Sequence, residues 1–232
     1  MKGISRDNLR LGNSSDTPLS LWESAYRSFE TAEEETCKFI RRLSQMGARD
    51  WPRDAEIIEL FCGRGNGLHA LTRLGFTRVE GVDLSATLLA EYTGSAKCYV
   101  ADCRSLPFPD YSKDIAVING GLHHLPKLPE DLERTISEVH RVLREEGQLA
   151  IVEPWLTPFL SVVHQVCKIS LARRFSRKIE ALATMIELEQ PIYYCWLDKP
   201  KEILKILNKF FKPKKCKAAW GKLLCNRSGR LG

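Results

Sequence analysis

The sequence predicts an α/β fold built on a mostly parallel, doubly wound sheet. Three observations carry this. Apolar, strand-like runs alternate with helical runs from residue 55 to residue 154, with short loops between them. One of these runs, EIIELFCGRGNG (56–67), breaks into three alternating glycines, Gly63, Gly65 and Gly67, just before a helix-forming segment. The chain has 232 residues, 44% of them apolar, enough for one large α/β core with appendages.

Taken in order, residues 1–16 are polar, with Gly, Asn and Ser, and read as a disordered N-terminus. Residues 17–50 predict two helices. One lies within 19–29; the second starts at Thr31, where TAEE reads as a capping box closed by Glu34. Phe39, Ile40 and Leu43 form its apolar face, and Gly47 ends it. The core, 55–154, opens with a strand over 56–61. The helix after the glycines ends near Leu74, with Gly75 as its terminal glycine. RVEGVDLS predicts a second strand ending at Asp83, followed by a short helix over 86–92. KCYVADCRSLPF carries a third strand and its exit loop, and DIAVING a fourth over 114–120. In PEDLERTISEVHRVLREEG, Leu132, Ile136, Val139 and Leu143 fall on one helical stripe, with Pro129 in the first turn and Gly147 as the stop. QLAIVEP is a fifth strand. Residues 155–197 are long, apolar and aromatic without alternation, and predict an inserted helical lid of two or three helices. In 198–232, KPKEILKILNKFF reads as an amphipathic helix, and KKCKAAWGKLLCNR as two short strands around Gly221 that complete the core.

Composition narrows the class. No 18-residue apolar run free of charge exists, so no spanning helix is expected, and MKGISRDNLRLGNSSD reads as lacking a hydrophobic signal region. The eight cysteines (37, 62, 98, 103, 167, 195, 216, 225) form no CxxC pair and no Cys/His ligand spacing, so no metal site is expected. Scattered free thiols fit a cytoplasmic location. The net charge is +6, but residues 199–232 hold eleven Lys/Arg against one acidic residue, Glu202, so the rest of the chain is mildly acidic. A basic end of this kind suits RNA, an anionic membrane surface or an acidic acceptor, and equally a plain solvated face.

The glycine loop offers bare N–H groups and the positive end of a helix dipole. Gly65-x-Gly67-x-x-Ala70 fits the dinucleotide pattern, a weak signal alone. Asp83 strengthens it: it ends the second strand 18 residues after Gly65, where a carboxylate accepts ribose hydroxyl protons. Asp102 ends the third strand, where a carboxylate can accept an adenine amino proton and the N–H of Cys103 can reach a ring nitrogen.

Five blocks in order, EIIELFCGRGNG, VEGVDLS, YVADCRSLPF, DIAVINGGLHHL and EVHRVLREEGQLAIVEP, resemble the class I S-adenosylmethionine-dependent methyltransferases, of the small-molecule type that includes ubiquinone and menaquinone methylases. The resemblance covers residues 56–154. It implies a Rossmann-like sheet of seven strands with an antiparallel final strand, and S-adenosyl-L-methionine as cofactor. Carried over position by position, it sets Glu59 at the amino-acid end of the cofactor and Gly63 and Gly65 beneath its methionine part and ribose. Asp83 takes the ribose, Asp102 and Cys103 the adenine edge, and Asn119 and Gly120 the neighbourhood of the reactive methyl. The family usually begins its loop with glycine where this chain has Phe61. A nicotinamide dehydrogenase is the competing reading of the loop, but GGLHHLP after the fourth strand, together with EVHRVLREEG, favours methyl transfer.

Methyl transfer needs a base only if the acceptor must lose a proton. His123 and His124 are the first candidates, since imidazole titrates near neutral pH, although adjacent side chains often point apart. Glu153, ending the fifth strand, is a third; Tyr193 and Tyr194 are weaker ones. Ligands in such sheets lie outside the strand carboxyl ends, so Trp155, Thr157, Phe159 and His164 are candidate acceptor-pocket residues, and Trp22, Tyr26 and Phe29 candidates to close over the cofactor. Ordinary helix packing accounts for both sets equally well. KISLARRFSRK places Arg173, Arg174, Arg177 and Lys178 beside an apolar stretch, the pattern of an interfacial helix with a basic flank. Three functions follow: methylation of a small-molecule or lipid-linked acceptor; methylation of RNA such as tRNA through the basic end; and a non-catalytic binding protein that keeps the fold.

Overall fold

The computed structural model describes residues 18–230; the segment read as a disordered N-terminus lies outside the described residues. Helices α1 (Pro18–Phe29) and α2 (Ala32–Gln45) precede the sheet. The capping box at Thr31 forms as expected: the Thr31 hydroxyl accepts from the Glu34 N–H, and the Glu34 carboxylate accepts from the Thr31 N–H at 2.9 Å. Strand β1 (Glu56–Leu60) feeds α3 (Asn66–Arg73), then β2 (Arg78–Asp83), α4 (Ala86–Leu89), β3 (Lys97–Val100) and β4 (Lys113–Asn119). Helix α5 (Glu130–Val142) leads to β5 (Leu143–Pro154). The lid is three helices, α6 (Pro158–Cys167), α7 (Ser170–Phe175) and α8 (Arg177–Asp198), followed by α9 (Pro200–Phe210), β6 (Phe211–Ala219) and β7 (Lys222–Arg230).

Among the described residues one seven-stranded sheet runs β3-β2-β1-β4-β5-β7-β6. The first five strands are parallel, and β7 is antiparallel to both β5 and β6. From β1 the chain moves outward to β2 and β3, then returns to the other side of β1 as β4. The crevice between β1 and β4 is therefore the switch point where such sheets place their ligands.

Strand alternation divides the core into two layers. Ile57, Ile115, Val117, Ala150 and Val152 pack with Phe39, Leu43, Leu68 and Leu71 under α2 and α3. Ile58, Leu60, Ala116, Ile118, Leu149 and Ile151 pack with Leu132, Ile136, Trp196 and Leu207 under α5, α8 and α9. These strands are buried on both faces, which explains why they read as continuous apolar runs. No helix among the described residues is long and apolar enough to cross a membrane.

Three expectations are corrected. Gly147 does not stop a helix: α5 ends at Val142, and Leu143 already pairs with Lys113 as the start of β5. The register shifts after that pair, and a Cβ at position 147 would sit 2.8 Å from the Arg144 carbonyl oxygen, so the glycine serves an irregular strand entry. The terminal strands are long, nine residues each, because β7 completes the face of β5 from Gln148 to Pro154. Nor are all the thiols free. The β6–β7 register sets Cys216 opposite Cys225, and the two are joined in a disulfide.

Candidate active site

The glycine loop lies at the carboxyl end of β1. Phe61, where the family pattern usually has glycine, has φ +57°, the left-handed conformation glycine adopts without cost. Its ring packs on Gly121, where an added Cβ would come within 2.2 Å of the Phe61 ring. Phe61→Gly is therefore expected to be more stable than Phe61→Ala by about 1 kcal/mol. Both variants lose the ring, and only glycine relieves the backbone. Denaturant melts of the two proteins decide it; an alanine variant at least as stable as the glycine one would refute the strain.

Two further glycines are required by close neighbours. Gly65 has φ +80°, and a Cβ there would lie 2.2 Å from the Tyr92 ring. A Cβ on Gly67 would lie 1.8 Å from Glu59 Oε1. Glu59, 2% exposed, thus fills the space that Gly67 leaves open; its Oε2 is buried without a hydrogen-bond partner among the described residues. Burial, reinforced by the nearby Glu35 and Asp83, raises its carboxyl well above the usual carboxylate range.

Asp83 organises the loop. Its Oδ2 accepts from the Gly63 N–H and its Oδ1 from the Ser85 N–H, both at 2.8 Å. A carboxylate offers about four acceptor positions, so both oxygens keep capacity for a ligand. From above, Glu35 on α2 accepts from Arg64 at 3.2 Å and Asn66 at 2.5 Å, and Tyr26 donates to the same carboxylate. The two N-terminal helices therefore clamp the loop through Glu35, a residue the sequence did not single out.

At the next strand edge, Asp102 is held by the Arg104 guanidinium, with Nη2 at 2.7 Å and Nε at 3.0 Å. Arg104 also reaches Asp131 at 2.9 Å, and the pairing lowers the Asp102 carboxyl. Cys103 is buried, which pushes its thiol up to about 12. Past β4, Asn119 Oδ1 accepts from Arg42 of α2 at 3.2 Å, and Gly120 turns the chain with φ +72°.

The carboxyl end of β5 carries the densest network. Glu153 is fully buried. Its Oε1 accepts from the N–H groups of Gly121 and Leu122, each at 2.8 Å, and its Oε2 lies 2.7 Å from His123 Nδ1. A carboxylate so occupied accepts from His123, which sets the proton on Nδ1 and leaves Nε2 as the free lone pair. Glu153 therefore positions the loop and the imidazole. Its Oε1 is taken up by the two loop N–H groups, and its Oε2 faces His123. The two histidines do not point apart: their ring centroids lie 4.1 Å apart with the planes tilted by 35°. His124 lies 3.4 Å from Glu189 of α8 and edge-on to Trp22. Desolvation and the adjacent His123 push the His124 pKa well below its ordinary value, so it is neutral at pH 7.

Lys222, at the start of β7, enters the same space. Burial, then repulsion from Arg42, lowers its ammonium to about 8, and no hydrogen bond or ion pair engages it among the described residues. The unfolded chain, with a lysine value of 10.5, binds more protons between pH 8 and 10.5, so stability rises with pH across that window. Lys222→Met is expected to melt above the parent at pH 7, by at most roughly 3 kcal/mol. The advantage shrinks as pH climbs from 8 toward 10.5. A difference that stays constant over that range would rule out a desolvated ammonium.

The lid contributes less to the pocket than its sequence suggested. His164 is buried and lies 3.1 Å from the Tyr193 hydroxyl, and the Tyr193 ring stands edge-on to His123 at 6.1 Å. Thr157 instead caps α6 and accepts from the Gly221 N–H. Phe159 turns outward against Trp220. Tyr26 covers the glycine loop beneath the Arg64 guanidinium. His123, His124 and Glu189 bring ligand-capable atoms within 4.8 Å of one another. His123 Nδ1 in this group is already engaged by Glu153.

Comparison with known proteins agrees with this geometry. A family profile described as a methyltransferase domain matches residues 58–151. The chain is 35% identical over 107 residues to a 2-phytyl-1,4-naphtoquinone methyltransferase of Nostoc punctiforme, covering 41% of this chain and 45% of that protein. It is 34% identical over 145 residues to a ubiquinone/menaquinone biosynthesis C-methyltransferase of Citrifermentans bemidjiense, covering 53% and 60%. The chain thus spans about half the length of the curated relatives it matches. Among solved structures, a Pyrococcus horikoshii protein superposes with a TM-score of 0.67 at 15% identity, over 90% of this chain and 98% of that one. A Streptomyces coelicolor geranyl diphosphate C-methyltransferase, solved with S-adenosyl-L-homocysteine, gives 0.58 at 15% identity, over 98% and 89%. The core of this chain, residues 58–151, thus matches a methyltransferase-domain profile, and the chain shares the fold of solved S-adenosylmethionine-dependent methyltransferases.

Proposed function

We propose that the protein transfers the methyl group of S-adenosylmethionine to a small-molecule or lipid-linked acceptor by in-line displacement. One observation carries the reading: the Asp83-held glycine loop and the Glu153–His123 pair both sit at the carboxyl edge of the sheet, on either side of the β1/β4 switch point.

The residues fit the cofactor. Glu59 holds a buried, unpartnered oxygen beside a cradle that a Cβ on Gly67 would fill, and an ammonium there would offset the burial that raises its carboxyl. Gly63 and Gly65 would lie beneath the methionine part and ribose, Asp83 would take the ribose hydroxyls, and Asp102 and Cys103 the adenine edge. Asn119 and Gly120 would flank the methyl. When bound, the sulfonium supplies an already activated methyl electrophile. The chain's own contribution is orientation and the exclusion of water. For an acceptor that must lose a proton, His123 Nε2 is the base, and Glu153 stabilises the imidazolium that results. The quinone-directed names of two relatives support an apolar acceptor.

A second reading has its own observation. Lys212, Lys214, Lys215 and Lys217 are all exposed along the edge strand β6, a row suited to tracking RNA phosphates. Labelled-methyl transfer to a cell extract separated into lipid, small-molecule and RNA pools tests both. Label in the lipid or small-molecule pool supports the first reading, and label confined to RNA replaces it with the second. A calorimetric titration showing no S-adenosylmethionine binding would overturn both in favour of a non-catalytic binding protein.

A further inference from the structure

We infer that the outer face of the lid, formed by α6, α7 and the tip of the β6–β7 hairpin, docks onto an anionic lipid surface. The inference deepens the lipid-linked branch of the proposed function, because it supplies the route by which a membrane-resident acceptor reaches the site.

The face is apolar where a solvated lid needs no apolar groups. Phe159 and Val162 on α6, Ile169 and Leu171 around the α6–α7 turn, Phe175 at the end of α7 and Trp220 at the hairpin tip are large, exposed side chains. Phe175 is 81% exposed and Trp220 77%, so neither contributes to the core. They are not scattered singly. Five of the six fall within 17 consecutive residues, and Trp220 joins them through its ring contact with Phe159 at 5.3 Å. The hairpin tip is pinned to α6 by the Gly221 N–H bond to Thr157 and by the Leu160 side chain against Gly221. This apolar group therefore rides on an anchored platform. A concentration of exposed large apolar side chains with aromatic members along one short stretch and the hairpin tip beside it marks an interaction surface.

The charge around it selects the partner. Arg173 is turned toward α8 and paired with Glu180 and Glu187, and Lys178 is paired with Glu34. Lys168, Arg174 and Arg177 are exposed, and among the described residues no carboxylate pairs with them. The edge lysines of β6 lead away from the same hairpin. Exposed apolar side chains interspersed with cations that no described carboxylate pairs are the complement of a bilayer surface bearing anionic headgroups: rings and aliphatic tips enter the headgroup boundary while Lys and Arg meet phosphates.

The inner side of the same helix explains why docking would matter. On α6, His164 faces inward to Tyr193, whose ring stands against His123. One helix thus has the candidate site on one side and the apolar face on the other. An acceptor with a lipid tail could leave the bilayer along α6 without crossing bulk water.

The test is co-sedimentation of the full chain with sucrose-loaded vesicles of phosphatidylcholine alone, or containing about one-third phosphatidylglycerol. The parent protein is expected to bind the anionic vesicles and to lose most binding on neutral ones. The double variant Phe175→Ser/Trp220→Ser should lower the partition coefficient at least about tenfold at every salt concentration. Arg174→Glu/Arg177→Glu should lower it about thirtyfold or more at low salt, an effect that fades as salt rises. All four side chains are exposed, so unchanged thermal melts confirm that folding is intact. Failure of the parent to bind anionic vesicles overturns the inference. So does a concentration-dependent dimer that the Phe175/Trp220 variant abolishes while vesicles go unbound. Vesicle-independent RNA binding through the same arginines overturns it too. Cofactor titration in parallel separates the two readings: intact S-adenosylmethionine binding without vesicle binding leaves the proposed function standing and removes only the docking face.

Discussion

Glu153→Ala is expected to be the most damaging single substitution at the site, costing about 3–5 kcal/mol of stability and nearly all turnover. Removing the carboxylate leaves the N–H groups of Gly121 and Leu122 and the His123 ring without their acceptor in a fully buried position. The loss of stability alone would not distinguish structure from mechanism, so the informative partner is Glu153→Gln. Its amide oxygen can still accept both backbone N–H groups. Its NH2 group then faces His123 Nδ1, forces that nitrogen to accept, and moves the ring proton to Nε2. Glu153→Gln should fold with a smaller loss of stability yet lower turnover by about 10²–10⁴ for an acceptor that must be deprotonated. The loss should be largest below the pH at which such an acceptor ionises unaided. Urea melts and turnover–pH profiles of the two variants decide it. A glutamine variant with parental turnover would show that His123 works in either tautomer and is no base.

Asp83→Ala is expected to weaken S-adenosylmethionine binding at least about a hundredfold, since a charge-assisted hydrogen bond is worth about 1.5–3 kcal/mol and two ribose hydroxyls are involved. The same change frees the N–H groups of Gly63 and Ser85, so the loop loses its tether as well as its ligand contact. Asp83→Asn keeps one acceptor oxygen and should fall between the parent and the alanine variant. Isothermal titration with the cofactor and with its demethylated product reads this directly. Unchanged affinity in Asp83→Ala would mean that the ligand does not lie over β2 and that the site has been placed at the wrong strand.

Much of the domain was legible in the sequence because its determinants are local. The capping box at Thr31, the break after Leu74 at Gly75, and the buried, uninterrupted strands follow from residues a few positions apart, and each appears in the structure. The glycine loop was legible for the same reason. Even Phe61, the one residue out of pattern, takes a left-handed backbone that glycine adopts without cost. Gly147 was misread because a helix stop and an irregular strand entry both select glycine. Only the pairing of Leu143 with Lys113 separates them.

The parts that stayed hidden are those assembled across long sequence distances. Motif order alone pointed to a parallel sheet, a glycine-and-aspartate ligand edge and two histidines after the fourth strand. It could not say that Glu153, 30 residues from His123, holds that ring and its loop. Nor could it show Glu35 clamping the glycine loop from 31 residues away at Asn66, or Arg42 reaching Asn119 across 77. Lys222 in the last strand shares the space of Arg42 and Glu189, three residues with no common pattern along the chain. Pattern reading detects periodicity and spacing, which reflect backbone geometry within one element. Which charges are desolvated, which carboxylate is already spent on hydrogen bonds, and which apolar rings are left facing solvent depend on how elements pack. Those were decided only when the sheet brought its carboxyl edges together under the lid.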